Sequence, residues 1–226
     1  MKSKILLTVA LLMMFGMYTN AQSEGISFGI RGGFDMQTFN GKDHNGDQLK
    51  LSLVPRYNVG VVVDIPVALG FYFQPGLLYT TKGAKSKDQF LGIDMSAEYN
   101  LSYIELPLSF LYKPTVGYGK FMLGFGPYLA YGFGGKVKYE INNASSEEDI
   151  VFGNEYSSAN PNDLKYFKAL DFGANLFFGY QLSSGISLQL NTQLGLAKIN
   201  ADNTLITNGK TELKNTGFGL SLGYSF

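Results

Sequence analysis

The chain has 226 residues, Lys plus Arg equals Asp plus Glu at 18 each, and there is one His, no Cys and no Trp. Charged residues make up only 16% of it, against about 25% in an ordinary soluble domain, while Gly reaches 28, Phe 18 and Tyr 15. The lack of Cys excludes disulfides, thiolate metal centres and Cys nucleophiles, and the lack of a basic surplus argues against a nucleic-acid partner.

Residues 1–21 read as an address. Lys2 and Lys4 precede the apolar run Ile5–Met17, and small residues stand at Thr19 and Ala21. That is the pattern of a cleavable secretory signal cut after Ala21, with the mature domain spanning 22–226. Thirteen apolar residues fall short of the about 20 that a spanning helix needs. No Cys follows for a lipid anchor. Nothing downstream is apolar for 18 residues, so any crossing of a membrane has to be made by strands.

From Ile26 onward apolar and small or polar residues alternate with period two, the signature of strands with one greasy face. The first run sets Ile26, Phe28, Ile30, Phe34 and Met36 against Arg31, Gly33, Asp35 and Gln37. The second sets Tyr57, Val59, Val61, Val63 and Ile65 against Arg56, Asn58, Gly60 and Asp64. The third opposes Phe71, Phe73, Leu77 and Tyr79 to Tyr72, Gln74, Gly76 and Thr80; the fourth opposes Ile104, Leu106, Leu108, Phe110 and Tyr112 to Tyr103, Glu105 and Ser109. The fifth run is long, Phe121–Tyr139, and carries Lys136 and Lys138 on its small-residue side. The sixth places Asp171 opposite Leu170 and Phe172, the seventh places Gln189, Asn191 and Gln193 between leucines, and the eighth alternates Gly and Ser with Phe218, Leu220, Leu222, Tyr224 and Phe226. Pro75, Pro107 and Pro127 lie inside runs, lack a ladder donor and are expected to mark bulges.

Eight runs, each long enough for the about 9–11 tilted residues of a membrane strand, predict an all-β, eight-stranded antiparallel up-and-down transmembrane β-barrel. The connections agree. Ala68–Leu69, Pro114–Lys120 and Ser183–Gly185 are short; Phe39–Val54, Gly83–Leu101, Glu140–Phe167 and Asn200–Lys214 are long and polar. Short periplasmic turns and long outer loops are the usual asymmetry. Of these, Glu140–Phe167 reads as a solvated, mobile loop carrying Glu147, Glu148, Asp149, Glu155 and Asp163.

An eight-stranded interior has room for side chains and no water channel. Glycines and balanced charges fit it; some thirty large apolar side chains do not. The greasy face is therefore expected outside, with a luminal network of Arg31, Asp35, Arg56, Asp64, Glu105, Lys136, Lys138 and Asp171, Lys136 pairing Asp171. Tyr57, Tyr79, Tyr131 and Tyr139 are expected in a girdle at the loop ends, and Phe71, Phe110, Tyr112, Phe121, Tyr180 and Phe226 in one at the turn ends.

Three stretches carry a family resemblance: Tyr103-Ile-Glu-Leu-Pro-Leu108, Gly124-Phe-Gly-Pro-Tyr-Leu-Ala-Tyr-Gly-Phe-Gly-Gly-Lys136 and Gly217-Phe-Gly-Leu-Ser-Leu-Gly-Tyr-Ser-Phe226. Together they resemble the PorT-type outer-membrane β-barrel family of Bacteroidota. The resemblance implies an outer-membrane barrel, with members tied to secretion and gliding machinery and no catalytic residues. It also implies that Phe218, Leu220, Leu222, Tyr224 and Phe226 form the C-terminal signal read by the barrel-insertion machinery.

Chemistry is sparse. Asp43, Asn45 and Asp47 around His44 are spaced like part of a calcium loop, but the distal Glu and following helix are missing. A Ser-His-acid hydrolase would depend on His44 alone, and no Gly-x-Ser-x-Gly elbow is present. The sequence thus predicts a non-enzymatic barrel with no cofactor or metal. Its expected partners are the outer-membrane bilayer, the insertion machinery and an envelope or secretion complex reached through the loops. A lipid- or peptide-modifying surface enzyme and a soluble exported lipocalin-like binder are the alternatives, and transport is disfavoured by the narrow lumen.

Overall fold

The computed structural model describes residues 25–43, 46–90, 93–142, 144–157, 165–205 and 211–226. The expected secretory leader, His44 and Asp163 lie outside the described residues. Alternation dominates the rest, and it folds as eight long strands: β1 (Ser27–Lys42), β2 (Val54–Ala68), β3 (Phe71–Phe90), β4 (Ile93–Tyr112), β5 (Gly119–Ile141), β6 (Leu170–Leu182), β7 (Ile186–Gly195) and β8 (Glu212–Ser225). Each pairs antiparallel with the next, and β8 pairs back onto β1 from Gly29↔Ser225 to Lys42↔Glu212. The ring is closed, so every strand finds backbone partners on both sides, as a span through hydrocarbon requires.

At one end the turns are tight. Leu69 and Gly70 join β2 to β3, and Ser183–Gly185 joins β6 to β7. Gly70 (φ 73°) and Gly185 (φ 90°) take the left-handed conformation that these turns demand and that side chains resist. The start of β1 and the last residue meet here: Phe226 N–H donates to the Phe28 carbonyl at 2.8 Å.

The other end is more regular than a loop reading predicts. Residues 83–101 continue β3 and β4 as a paired hairpin, from Lys82↔Leu101 to Phe90↔Ile93. Segment 140–167 is likewise built up: the strand Ala144–Asp149 folds back on β5, and short parallel pairs join Val151–Phe152 to Tyr166–Phe167 and Glu155–Tyr156 to Asp202–Asn203. The reason is an apolar cluster above the barrel. Phe39, Ala84, Tyr99, Leu101, Val137, Ile150, Phe167, Ile199 and Leu213 are buried together, with Leu49, Leu51, Tyr139 and Phe152 packed on them. The rings of Phe39, Tyr99 and Phe167 lie about 6 Å apart, in tilted and edge contacts. Tyr139, expected in the interfacial girdle, belongs to this cap.

The prolines do not shift register. Pairing lapses opposite Pro75, Pro107 and Pro127, because each removes a donor, and resumes unchanged on the far side. The register breaks elsewhere, between Pro66 and Ala68 and between Ser102 and Tyr103. At the second break Ser102 faces Gly134 while Tyr103 faces Gly132, leaving Phe133 as the extra residue. A bulge of one residue exchanges the two faces of a strand. Beyond it Val137 points inward, and Lys136 and Lys138 point out.

Within the barrel the faces are as expected. Phe34, Leu170 and Leu222 are 74%, 68% and 61% exposed, and Phe, Leu, Val, Ile and Tyr dominate the outward face of the barrel. Phe218, Leu220, Leu222, Tyr224 and Phe226, the expected insertion signal, all face outward. Phe71 stacks on Tyr112 at the turn end with ring centroids 4.6 Å apart, and Tyr57, Tyr79 and Phe133 form a chain of ring contacts at the other boundary. A soluble lipocalin-like binder needs the reverse arrangement, so that alternative is overturned.

Candidate functional site

The lumen is the one place where the fold concentrates polar chemistry, and it is layered along the barrel axis. At the turn end an open vestibule of about 460 Å³ is lined by Tyr72, Lys113, Lys120 and Gln181 among others. Above it Asp64 accepts from Lys113 Nζ at 2.7 Å and from Gln74 Nε2 at 2.6 Å. An apolar collar of Tyr72, Leu111, Met122 and Phe177 follows. Phe177 can enter the lumen because it packs over Gly124, where a Cβ would stand 2.1 Å from the ring.

The middle layer is polar. Asp35 accepts from Asn58 Nδ2 at 2.6 Å and from Asn191 Nδ2 at 2.7 Å. Glu105 accepts from Gln193 Nε2 at 3.0 and 3.1 Å. Arg31 stands within electrostatic reach of both Glu105 and Asp35. These groups line a space of about 40 Å³, enough for a water or two and too small for a substrate.

The next layer is the charge centre. Lys82 Nζ lies 2.9 Å from Glu105 and 3.0 Å from Asp171, and Lys82 and Asp171 have no side-chain exposure. Asp171 also accepts from Tyr128 Oη at 3.2 Å and from Asn215 Nδ2 at 2.9 Å. The ammonium sits 4.1 Å from the Tyr128 ring centroid and 5.3 Å from that of Tyr103, an arrangement that replaces part of its lost hydration. Arg56 closes the layer by donating to the Tyr99 carbonyl at 2.7 Å and to Glu98 at 3.2 Å. The apolar cap then seals the outer mouth.

Six of the eight expected network residues line the lumen: Arg31, Asp35, Arg56, Asp64, Glu105 and Asp171. Lys136 and Lys138 do not. Turned outward by the Phe133 bulge, they pair with Glu147 at 3.2 Å and Glu140 at 2.8 Å on the exposed outer sheet. Asp171 pairs with Lys82 in place of Lys136. The two cations that sequence reasoning missed are Lys82 and Lys113. Both were within reach of the same rule: continuing the inward series Tyr72, Gln74, Gly76, Leu78, Thr80 by one step gives Lys82, and continuing Ser109, Leu111 gives Lys113. Arg31, Arg56, Lys82 and Lys113 thus balance Asp35, Asp64, Glu105 and Asp171. Of the possible calcium loop, Asp43 and Asp47 are described, and Asp43 Oδ1 accepts from the Gly46 and Asp47 N–H groups at 2.9 Å each; Asn45 and His44, on which the hydrolase would depend, lie outside the described residues.

Such an interior holds charges out of water by pairing them. Chemically it is a plug: the carboxylates are engaged by donors, and protein closes the lumen on both sides.

Three solved structures are similar to this chain. The outer membrane protein OprG from Pseudomonas aeruginosa is 14% identical over 89% of this chain and 96% of that chain, with a TM-score of 0.51. Neisserial surface protein A is 11% identical over 90% and 100%, with a TM-score of 0.44. Ail, the attachment invasion locus protein of Yersinia pestis, solved with the heparin analogue sucrose octasulfate, is 12% identical over 89% and 99%, with a TM-score of 0.39. At such identities the likeness concerns the fold alone, and the OprG match supports a small outer-membrane barrel. No curated protein matches the sequence. The model of the family described as "Outer membrane protein beta-barrel domain" matches residues 20–201. With its closed eight-stranded ring, outward apolar belt and this match, the chain belongs to the outer membrane protein β-barrel domain family and resides in the outer membrane.

Proposed function

We propose that this protein is a non-enzymatic, non-conducting barrel that anchors a rigid outer platform for binding or for docking in an envelope complex. The observation that carries this reading is the layering of the lumen: collar, ion-paired centre and apolar cap leave about 40 Å³ between them. A lumen filled this way favours an anchor over a conduit. The extended β3–β4 hairpin and the β5 extension, ordered by packing on the cap, and Ala144–Asp149, paired onto β5, supply the platform. The resemblance to PorT-type barrels of secretion and gliding machinery points the same way. The outward apolar residues of β8 suit recognition by the insertion machinery.

The test is planar-bilayer recording on refolded protein beside lipid- and peptide-hydrolase assays on wild type and His44→Ala. The reading expects no conductance above leak and no hydrolysis that depends on His44. Steady single-channel steps, or a hydrolytic activity abolished by His44→Ala, would overturn it.

A further inference from the structure

We propose that the outer rim on the β6–β7–β8–β1 side is a binding surface for the phosphorylated headgroups of outer-leaflet glycolipid. Four lysines gather there. Lys168 lies two residues beyond the outward Leu170, and Lys198 two beyond the outward Leu196. Backbone hydrogen bonds tie these segments side by side: Lys168 N–H donates to the Ile199 carbonyl at 2.6 Å, and Ile199 N–H to the Leu213 carbonyl at 2.8 Å. Lys214 follows Leu213 and stands opposite Asn40, and Lys42 stands opposite Glu212. The four therefore form one lateral band directly above the lipid-facing belt of Phe34, Leu170, Phe172, Leu194 and Phe218.

Charge sets this band apart. Asp202 accepts from Lys168 at 2.8 Å and Lys198 at 2.6 Å, and Glu212 pairs with Lys214 at 2.7 Å. Lys42 and Lys198 also act on the Glu212 charge. Both carboxyls are held below the usual carboxylate range by these lysines, so both stay ionised; with Glu155, in register beside Asp202, four cations face three anions among the described residues of the band. On the opposite half of the rim Arg56, Lys85, Lys136, Lys138 and Lys165 are tied into ion pairs with Glu98, Glu140, Glu147 and Glu148, and Asp149 stands in register with Lys136. At the turn end Lys113 and Lys120 line the vestibule, away from lipid. The four outward lysines thus sit at one height and on one side, where the belt meets the outer headgroups. Such a cationic band at the edge of an apolar surface attracts anionic headgroups, and the attraction is screened by salt.

The experiment titrates the detergent-solubilised, heat-modifiable barrel with phosphorylated and dephosphorylated lipid A and counts bound lipid by native mass spectrometry. Wild type should bind the phosphorylated form more tightly. The quadruple variant Lys42→Gln, Lys168→Gln, Lys198→Gln, Lys214→Gln should lose at least about tenfold in that affinity with the dephosphorylated form unaffected, and added salt should erase the difference. The pair Asp202→Asn, Glu212→Gln should bind phosphorylated lipid A more tightly than wild type, which decides the matter if the quadruple variant does not fold. Equal binding of the two lipid forms by wild type, unchanged affinity in the quadruple variant, or unchanged or weaker affinity in the acid-neutralised pair would overturn the proposal.

Discussion

Replacing Lys82 by Met removes the ammonium that two buried carboxylates share, at 2.9 Å from Glu105 and 3.0 Å from Asp171. Deleting one member of a buried ion pair typically costs about 3–5 kcal/mol, because the other member is left charged and out of water. Here the loss should fall near the lower bound, about 3 kcal/mol, since Asp171 keeps Tyr128 and Asn215 and Glu105 keeps Gln193. That corresponds to a roughly hundredfold smaller folding equilibrium constant. The assay is urea unfolding in lipid vesicles, with the folded fraction read as the heat-modifiable band on gels. Lys82→Met should lower the midpoint with the urea slope unchanged. Adding Glu105→Gln and Asp171→Asn should restore most of the loss, because a neutral site leaves no buried charge unpaired. Lys136→Met, whose parent side chain is 63% exposed, should leave the midpoint where it was. Equal midpoints for Lys82→Met and Lys136→Met would refute the assignment of Lys82 as the buried cation and restore the alternative register of β5.

Other consequences are as sharp. Gly124→Ala places a Cβ 2.1 Å from the Phe177 ring and should destabilise the barrel by about 1–3 kcal/mol; Phe177→Leu in that background should recover part of it, and full stability of Gly124→Ala would contradict the collar packing. The Glu140 carboxyl is held down to about 2 by hydrogen bonds from Lys138, Lys85 and Ser96. A depressed pKa means that its contribution to the outer sheet is complete above about 4.5 and fades as pH falls through about 2. Side-chain carboxyl NMR titration in micelles checks this, and a midpoint near 4.5 would show that the contacts do not form. Phe226→Ser removes an outward aromatic while keeping the backbone bond to Phe28; it should lower the amount of heat-modifiable protein in the outer-membrane fraction, whereas undiminished insertion would argue against its role in the C-terminal signal.

The barrel itself was legible in the sequence because its two faces differ so strongly. Where Leu188, Leu190 and Leu194 alternate with Gln189, Asn191 and Gln193, period two fixes both strand and side. Parity of short and long connections gave the topology, and the exclusion of some thirty large apolar residues from a narrow lumen gave the direction of the faces. The limits are equally physical. Above the membrane belt, the extension of β3 and β4 and the segment that carries Ile150, Phe152 and Phe167 are ordered by packing between segments distant in the chain, such as Phe39 with Phe167 at 5.9 Å, and no local pattern announces such contacts. A bulge leaves little trace in sequence either. Phe133 stands between two glycines and inverts everything after it, so Lys136 and Lys138 kept their expected spacing and lost their expected side. The balance of luminal charge was nonetheless readable, because four buried acids require cations whichever residues supply them.

The central claim is that the apolar face meets lipid and the polar face a sealed interior. The absence of cysteine makes it directly measurable: single cysteines placed in turn at Phe218, Gly219, Leu220, Ser221 and Leu222 accept a spin label with no background. In reconstituted vesicles, collision with oxygen, which concentrates in lipid, should be high at 218, 220 and 222 and low at 219 and 221, while a water-soluble nickel complex should reach none of the five. Oxygen accessibility without that alternation, or nickel reaching 219 and 221 freely, would contradict the account.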